Sequence, residues 1–292
     1  MQLGLFDDPE TPRVAPFQSQ LLKWVGNKQR CAHEIVSYFP SRIVTYYEPF
    51  LGSGSVLATL APRKGIGSDV FGPLATIWQT LHRAPETLTQ WYAERRDLVM
   101  GGDKVARYER IKASYNACPN AADLLFLCRA CYGGVVRFRK ADGHMSTPCG
   151  VHTPIPADAF GRRVKEWNRR TQGTTFVHAD FEEITSQAKA GDLVYCDPPY
   201  SDTQSILYGA QSFSLGRLFR VIGACKDRGV RVALSIDGTK HSGKKTCDVA
   251  VPDGLFEREA LVNCGRSMLR RFQMGGRTLE GEVVADRLLL TY

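Results

Sequence analysis

Short apolar runs alternate with helix-like stretches towards both ends of the chain. Runs rich in β-branched and aromatic residues predict strands at 43–47, 66–70, 174–177, 193–196 and 230–236. Helix-like stretches lie between some of these runs, at 55–61 and 215–226. This alternation is typical of an α/β fold, in which helices cover a mostly parallel sheet. Two further runs, 259–264 and 286–291, are predicted to close the sheet with a hairpin.

The middle of the chain departs from this rhythm. Helix-like stretches lie at 81–98, 106–115 and 121–131, and the sequence becomes rich in Gly, Pro and Arg from 133 onwards. We therefore predict a catalytic domain formed by 21–75 and 171–292, with a mostly helical inserted domain at 76–170 that ends in a hairpin loop. Residues 1–20 carry three acids and three prolines without an apolar core, which predicts a flexible tail and excludes a signal peptide.

Composition adds a basic segment to this picture. The formal net charge is +8, and residues 128–171 hold nine Arg and Lys against three Asp and Glu. Such a cluster fits either a surface that binds a polyanion or an ordinary solvated face, and charge by itself does not decide between them. Since no apolar run is long enough to span a bilayer, the sequence predicts a cytoplasmic protein.

The nine cysteines lack a secretory context, which predicts reduced thiols. Cys128 and Cys131, followed by Cys149 and His152, have a spacing that could ligate zinc. However, the first pair lies in a helix-like apolar run, where thiols pack as small apolar groups. Packing is the favoured interpretation, and zinc is the alternative.

The most specific motif is Asp197-Pro198-Pro199-Tyr200, directly after a predicted strand. Two prolines place a stiff turn at the carboxyl edge of the sheet, where α/β proteins bind ligands. The Asp197 carboxylate and the Pro198 carbonyl could accept both N–H groups of an exocyclic adenine amine and so direct its lone pair at a methyl donor. Tyr200 would stack on an extruded base. A rigid surface turn is the alternative interpretation.

A glycine-rich loop, Glu48-Pro49-Phe50-Leu51-Gly52-Ser53-Gly54-Ser55, joins a predicted strand to a predicted helix. Its glycines allow a ligand close to the backbone, and the helix terminus offers N–H donors. The lysine of phosphate-binding loops and the full dinucleotide-binding spacing are absent from it. Asp69, at the end of the next predicted strand, is a candidate partner for ribose hydroxyls.

In this order the segments resemble the Dam-type (D12 class, alpha-group) N6-adenine-specific DNA methyltransferases, from about 21 to 292. Residues 23–28 resemble the KWAGGK segment of that family, 48–55 its EPFxGxGS loop, and 175–181 the stretch beside the adenine of the cofactor. Residues 235–238 lie at the place of its SNHD/N stretch, although Ile236-Asp237-Gly238 departs from it. The resemblance implies a Rossmann-like, seven-stranded methyltransferase fold that uses S-adenosylmethionine and no metal.

The resemblance also implies which residues form the active site. The catalytic set is Asp197, Pro198, Pro199 and Tyr200. The cofactor-binding set is Trp24, Gly26, Lys28, Glu48, Pro49, Phe50, Gly52, Ser53, Gly54, Ser55, Asp69, Asp180, Phe181 and Asp197.

Residues 132–138, together with 148–150, resemble the recognition hairpin of the family, YNGLxRYN…PxG. The resemblance implies that Arg137 reads a guanine edge, a contact worth roughly 1–3 kcal/mol against a wrong base, and that Tyr132 wedges between bases. The implied target is a short, GATC-like motif in double-stranded DNA. The implied DNA-binding set is Lys23, Tyr132, Gly134, Val135, Arg137, Arg139 and Pro148.

The family further implies a monomer in a bacterial cytoplasm, encoded by a bacterium or a phage, which could have a cognate restriction endonuclease. Two other functions stay open from the sequence. The same fold could methylate cytosine N4, an RNA adenine or a protein amide. A DNA-binding protein without turnover could also occlude sites, although the intact Asp197, Tyr200, Gly52 and Gly54 argue against it.

Overall fold

The computed structural model describes residues 14–199, 213–237, 239–240, 245–246, 250–265 and 284–292. Seven strands form one sheet: β1 (Tyr46–Glu48), β2 (Gly65–Asp69), β3 (Thr174–His178), β4 (Leu193–Cys196), β5 (Arg231–Asp237), β8 (Arg258–Gly265) and β9 (Val284–Leu290). The short strands β6 (Thr239–Lys240) and β7 (Lys245–Thr246) pair with each other.

The strand order of the large sheet is β3-β2-β1-β4-β5-β9-β8. The first five strands run parallel, whereas β9 is antiparallel to both β5 and β8. Each strand that the apolar runs predict is present, with ends shifted by a few residues, and the closing pair is formed by β8 and β9. The predicted seven-stranded α/β fold is therefore confirmed.

Nine α-helices accompany the sheet in the described part of the chain: α1 (Ala32–Ser37), α2 (Ser55–Leu60), α3 (Gly72–Arg83), α4 (Pro85–Met100), α5 (Lys104–Ala117), α6 (Ala121–Ala130), α7 (Ala157–Arg170), α8 (Phe181–Thr185) and α9 (Leu215–Asp227). Several begin at residues suited to a helix start. The side chains of Asp103, Asn120 and Ser214 accept backbone N–H bonds at the starts of α5, α6 and α9.

The helices pack in two different surroundings. Helix α3 packs on β2 and β3, and α9 packs on β5. Helices α4, α5, α6 and α7 pack mainly on one another and on α3, and their buried side chains belong to the same apolar core as residues of the sheet. No helix within the described ranges is long and apolar enough to cross a bilayer.

Residues 14–20 differ from the predicted flexible tail. Phe17 is buried, with its ring centroid 5.3 Å from that of Trp167. The indole Nε1 of Trp167 donates to the carbonyl of Ser19 at 3.0 Å. The tail prediction for 14–20 is wrong because a single aromatic residue and the backbone carbonyls around it fix this segment to α7, while 1–13 lie outside the described residues.

Part of the basic segment has an internal role. Arg129 donates to the carbonyls of Gln20 and Leu21 at 2.9 and 2.7 Å, and Arg163 donates to Gln20 at 2.9 Å. Arg170 lies over the ring of Phe17, 4.3 Å from its centroid. These three arginines hold the segment before the catalytic domain, so fewer cations than the sequence suggested are available to a polyanion.

Two cysteines are joined, contrary to the prediction of reduced thiols. Cys31 and Cys264 form a disulfide between the start of α1 and the end of β8, with their Cα atoms 5.0 Å apart. The two residues are 233 positions apart in sequence, so the folding of the sheet brings them together and no local pattern could indicate the pair.

The favoured interpretation of Cys128 and Cys131 as packing residues is confirmed by their burial. Burial raises the pKa of the two thiols to about 11 and about 12, whereas zinc binds the thiolate. Within the ranges that the structure describes, no three His, Cys, Asp or Glu side chains are grouped as a metal site requires.

Candidate active site

A cleft that is partly open to solvent lies at the carboxyl ends of β1, β2 and β4. It brings together most of the residues predicted to bind the cofactor, although they come from five separate segments of the chain. The predicted residues that line it are Trp24, Gly26, Lys28, Glu48, Pro49, Phe50, Gly52, Ser53, Ser55, Asp69, Asp180, Phe181, Asp197, Pro198 and Pro199.

The glycine loop and Asp69 form one hydrogen-bonded unit. The carboxylate of Asp69 accepts the backbone N–H of Gly52 at 3.0 Å and that of Phe71 at 2.9 Å. Burial raises the pKa of Asp69, and these two N–H bonds oppose the rise. The loop is thereby fixed to the end of β2, beside the cleft.

Gly54 is the predicted cofactor residue that does not line the cleft. Its φ of 63° is a left-handed conformation, and a Cβ atom there would lie 3.1 Å from the ring of Trp78. Trp78 is itself fixed, because its indole N–H donates to the carbonyl of Gly52 at 3.1 Å. The second glycine of the loop is therefore required by backbone conformation and packing.

Aromatic side chains form one wall of the cleft. The rings of Phe50 and Phe181 are stacked with centroids 5.1 Å apart, and Phe213 meets the Phe50 ring edge-on at 5.8 Å. Arg217 lies over the other face of Phe181, 4.6 Å from the centroid, and forms an ion pair with Asp180. This wall gives the cleft an aromatic surface with the Asp180 carboxylate beside it.

Glu48 supplies a buried carboxyl group to the cleft. Its Oε2 accepts a hydrogen bond of 2.6 Å from the hydroxyl of Tyr46, and the side chain is nearly inaccessible to solvent. Burial and, to a smaller extent, the nearby charge of Asp197 raise the pKa of Glu48 to about 8, although the hydrogen bond from Tyr46 opposes the rise. A cationic group bound in the cleft would favour the ionised form of Glu48.

Lys28 connects two carboxylates at the base of the cleft. Its ammonium lies 2.9 Å from Oδ1 of Asp197 and 3.3 Å from Oδ2 of Asp286, and it donates to the carbonyl of Gly26 at 3.3 Å. Burial lowers the pKa of Lys28, but the charges of Asp197 and Asp286 outweigh it and hold the pKa well above the ordinary value. Lys28 is thus a cation bonded to the first residue of the DPPY motif.

The DPPY motif follows β4 at the edge of the cleft, as the sequence predicts. Asp197, Pro198 and Pro199 line the cleft. Tyr200 lies outside the described residues. The strand before the motif is fully buried, and the hydroxyl of Tyr195 is 2.9 Å from that of Ser235 on β5, which fixes the position from which the turn leaves the sheet.

The predicted recognition hairpin is a closed loop in the structure. Phe138 and Met145 form an antiparallel bridge, and the N–H of Arg139 donates to the carbonyl of His144 at 2.9 Å. Gly143, with a φ of 70°, lies at the tip. This geometry presents the basic residues around the tip on one projecting element.

The two hairpin arginines have different surroundings. Arg139 is exposed and bonded to Asp142, with Nε 3.0 Å from Oδ1. Arg137 is half-buried, and its guanidinium forms no hydrogen bond or ion pair with any described residue. The structure thus restrains Arg139 within the hairpin and leaves Arg137 available for an external acceptor.

The remaining residues predicted to bind DNA lie beside the hairpin. Tyr132 is 40% exposed, and its backbone N–H donates to the carbonyl of Pro148 at 2.9 Å. A Cβ atom on Gly134 would lie 2.8 Å from the side chain of Lys23, so these two residues are in contact. Val135 is buried, which leaves its side chain unable to reach a partner in this conformation.

Phe71 joins the cleft to the hairpin, a role that the sequence analysis missed. It lines the cleft, its ring centroid is 6.2 Å from that of Trp24, and it meets Phe138 edge-on at 5.6 Å. Phe213, Arg217 and Asp286 were also missed. A charged residue within the apolar run 286–291 was the one available signal, and it pointed to Asp286.

A seven-stranded sheet with one reversed strand, and a cleft with carboxylates and aromatic rings at its carboxyl edge, define the class: this is the fold of the S-adenosylmethionine-dependent methyltransferases. The family follows from the sequence. Residues 24–242 match the D12 class N6 adenine-specific DNA methyltransferases, and the chain belongs to that family.

Curated relatives carry related names. The DNA N-6-adenine-methyltransferase of Escherichia phage P1 is 28% identical over 241 residues, which are 78% of this chain and 31% of the relative. The Retron Ec67 DNA adenine methylase of Escherichia coli is 28% identical over 64% of this chain and 65% of its own. The DNA adenine methylase of Serratia marcescens is 26% identical over 86% of this chain and 93% of its own. The chain thus spans less than two thirds of the first two relatives.

Proposed function

We propose that this protein transfers a methyl group from S-adenosylmethionine to N6 of an adenine in a short motif of double-stranded DNA. The observation that carries the proposal is the position of Asp197, Pro198 and Pro199 at the rim of the cleft that the glycine loop and Asp69 form. Family membership and the names of the relatives support adenine as the acceptor.

The chemistry of the cleft fits the proposed cofactor. The Asp69 carboxylate suits ribose hydroxyls, and the Phe50 and Phe181 rings with Asp180 suit an adenine and its amino group. The buried Glu48 carboxyl suits an ammonium group. S-adenosylmethionine would supply a methyl group on a sulfonium, which is already activated for transfer.

In the proposed reaction the protein positions a weak nucleophile. The Asp197 carboxylate and the Pro198 carbonyl accept the two N–H groups of adenine N6, so the nitrogen becomes pyramidal and its lone pair faces the methyl group. Tyr200 stacks on the extruded base. The rate enhancement comes from orientation and from acceptors fixed in place before the reaction.

For target recognition we propose residues 76–170 as the DNA-binding domain, acting as a monomer on double-stranded DNA. The hairpin tip would enter the major groove, where Arg137 would donate to a guanine and Tyr132 would replace the extruded base in the stack. Arg139 and Lys23 would contact the backbone around this site. The availability of Arg137 and the 40% exposure of Tyr132 support these roles.

Long-read sequencing of modified bases tests the proposed function. The gene would be expressed in a bacterial host without endogenous methylation, beside an Asp197→Ala variant. We expect N6-methyladenine at one short motif with the wild-type protein and none with the variant. If a soluble protein that binds S-adenosylhomocysteine modifies no adenine, the assignment fails, and N4-methylcytosine in the same data would identify the competing acceptor.

A further inference from the structure

Lys28, Asp197 and Asp286 form a buried charge cluster from three separate parts of the chain. Lys28 and Asp286 are 5% and 6% exposed, and both carboxylates lie within 3.3 Å of the ammonium. Asp286 belongs to β9, between β5 and β8, in a position where strands ordinarily carry apolar residues. The cluster holds one positive and two negative formal charges.

A gain in folding stability does not explain why these three charged side chains are buried together. Taking three charges out of water costs several kcal/mol per ion by general estimates, and well-packed apolar residues in place of a buried ion pair are often as stable or more so. Buried ionisable clusters beside a cleft are instead a frequent property of functional sites. The position of Asp197 in the DPPY motif places this cluster at the proposed reaction centre.

We propose that Asp286 is a positioning residue for methyl transfer, acting through Lys28 on Asp197. This inference rests on the proposed function. A lysine bonded to Asp197 alone would neutralise that carboxylate and compete with the adenine N–H for its oxygens. Asp286, on the other side of the ammonium, takes a share of the positive charge, and Asp197 remains a strong acceptor.

A second carboxylate beside Asp197 also matches the reaction. As the lone pair of N6 forms the new bond to carbon and the carbon–sulfur bond breaks, positive charge develops on N6 until one of its protons leaves to solvent. The carboxylates of Asp197 and Asp286, fixed on either side of Lys28, stabilise that charge without rearranging. Glu48 and Cys196 also face Asp197, Tyr195 faces Lys28, and the Cys264 sulfur is 3.3 Å from Asp286.

The test compares Asp286→Asn with wild-type protein in single-turnover methylation of a duplex that contains the sequenced motif. We expect the rate to fall about tenfold, which corresponds to about 1.36 kcal/mol of the activation barrier. The acidic limb of the rate profile should move to lower pH, because the loss of the Asp286 charge leaves more of the Lys28 charge to favour the ionised form of Asp197. The fluorescence of a 2-aminopurine at the target position reports extrusion of the base. This signal should be the same in Asp286→Asn and in the wild-type protein.

Asp192→Asn is the matched control. Asp192 is 5% exposed and precedes β4 at the opposite edge of the sheet, where it accepts the backbone N–H groups of Thr45 and Lys189, each at 2.9 Å. This variant should lower the melting temperature without moving the pH limb. If Asp286→Asn behaves in the same way, with its acidic limb at the wild-type position, the proposal is overturned.

Asp286→Glu covers the case in which Asp286→Asn does not fold. It keeps the charge but displaces the carboxylate by one methylene, so we expect a slower single-turnover rate with the acidic limb in place. A wild-type rate in Asp286→Glu contradicts the positioning role. If wild-type protein itself leaves adenine unmodified, the proposed function has failed, and that outcome is distinct from a variant that matches an active wild type.

Discussion

The carboxylate of Asp69 accepts the backbone N–H of Gly52 at 3.0 Å, across 17 residues of sequence. This bond fixes the glycine loop to the end of β2, and it leaves Asp69 at the wall of the cleft. One side chain therefore shapes the loop and presents a carboxylate to a ligand.

Asp69→Asn should weaken the binding of S-adenosylhomocysteine by about 10- to 100-fold, since hydrogen bonds to a charged group are worth roughly 1.5–3 kcal/mol. An amide has one acceptor oxygen, so it cannot accept from Gly52 and Phe71 and also serve a ribose. Isothermal titration calorimetry measures the change. Asp103→Asn, which keeps the cap position at the start of α5 far along the chain from the loop, is the control and should bind as wild type.

The raised pKa of Glu48 predicts that the free energy of unfolding depends on pH. Its pKa is about 8 in the folded protein against an ordinary value of 4.5, so the folded state binds more protons than the unfolded state between these values. The contribution of Glu48 to the free energy of unfolding is therefore largest below pH 4.5 and declines as the pH rises to about 8.

Urea unfolding of wild-type protein and Glu48→Gln, at several pH values, measures this contribution as a difference. We expect the free energy of the wild type to fall relative to the variant as the pH increases through this window, because glutamine has no proton to lose. A difference that is constant with pH would show that Glu48 ionises as readily in the folded protein as in the unfolded chain.

The two hairpin arginines should have separable effects. Arg137→Ala is expected to relax discrimination at one base of the motif by roughly 1–3 kcal/mol, about 5- to 150-fold in relative rate, because a bidentate contact to guanine is lost. Arg139→Ala should slow methylation of all sequences alike, because the proposed contact of Arg139 is with the DNA backbone, which carries no sequence information. Methylation rates on duplexes with each base at each motif position distinguish the two, and equal discrimination by Arg137→Ala and wild type would contradict the role of Arg137.

Gly54→Ala should destabilise the fold. The alanine must adopt a φ of 63°, and its Cβ would approach Trp78 to 3.1 Å, where Trp78 is held between Trp167 and Phe176. Strain of this backbone kind costs on the order of 1–3 kcal/mol, and the contact adds to it. Gly143→Ala is the control, because it has a φ of 70° with open space around the new atom. Thermal unfolding should show the larger loss in Gly54→Ala, and equal losses would remove the role assigned to Trp78.

The sequence by itself determined the class of fold and much of the site. Alternating apolar runs fix which segments form strands, because each strand must bury its side chains whatever its neighbours are. The DPPY motif and the glycine loop were placed correctly at strand ends, since Pro198 and Pro199 restrict the backbone locally and Gly52 permits the left-handed conformation of its turn. Such local constraints can be recognised from a short stretch of chain.

Tertiary structure decided the features that depend on long-range contacts. Lys28 is the last residue of a segment assigned to the cofactor, yet its ammonium bonds to Asp197 and to Asp286 from the last strand. Phe17 lies in a segment that composition predicts to be flexible, and it is buried against Trp167. The energy of a charge or a ring depends on what surrounds it in space, and residues far apart in the sequence supply those surroundings only after the sheet has assembled.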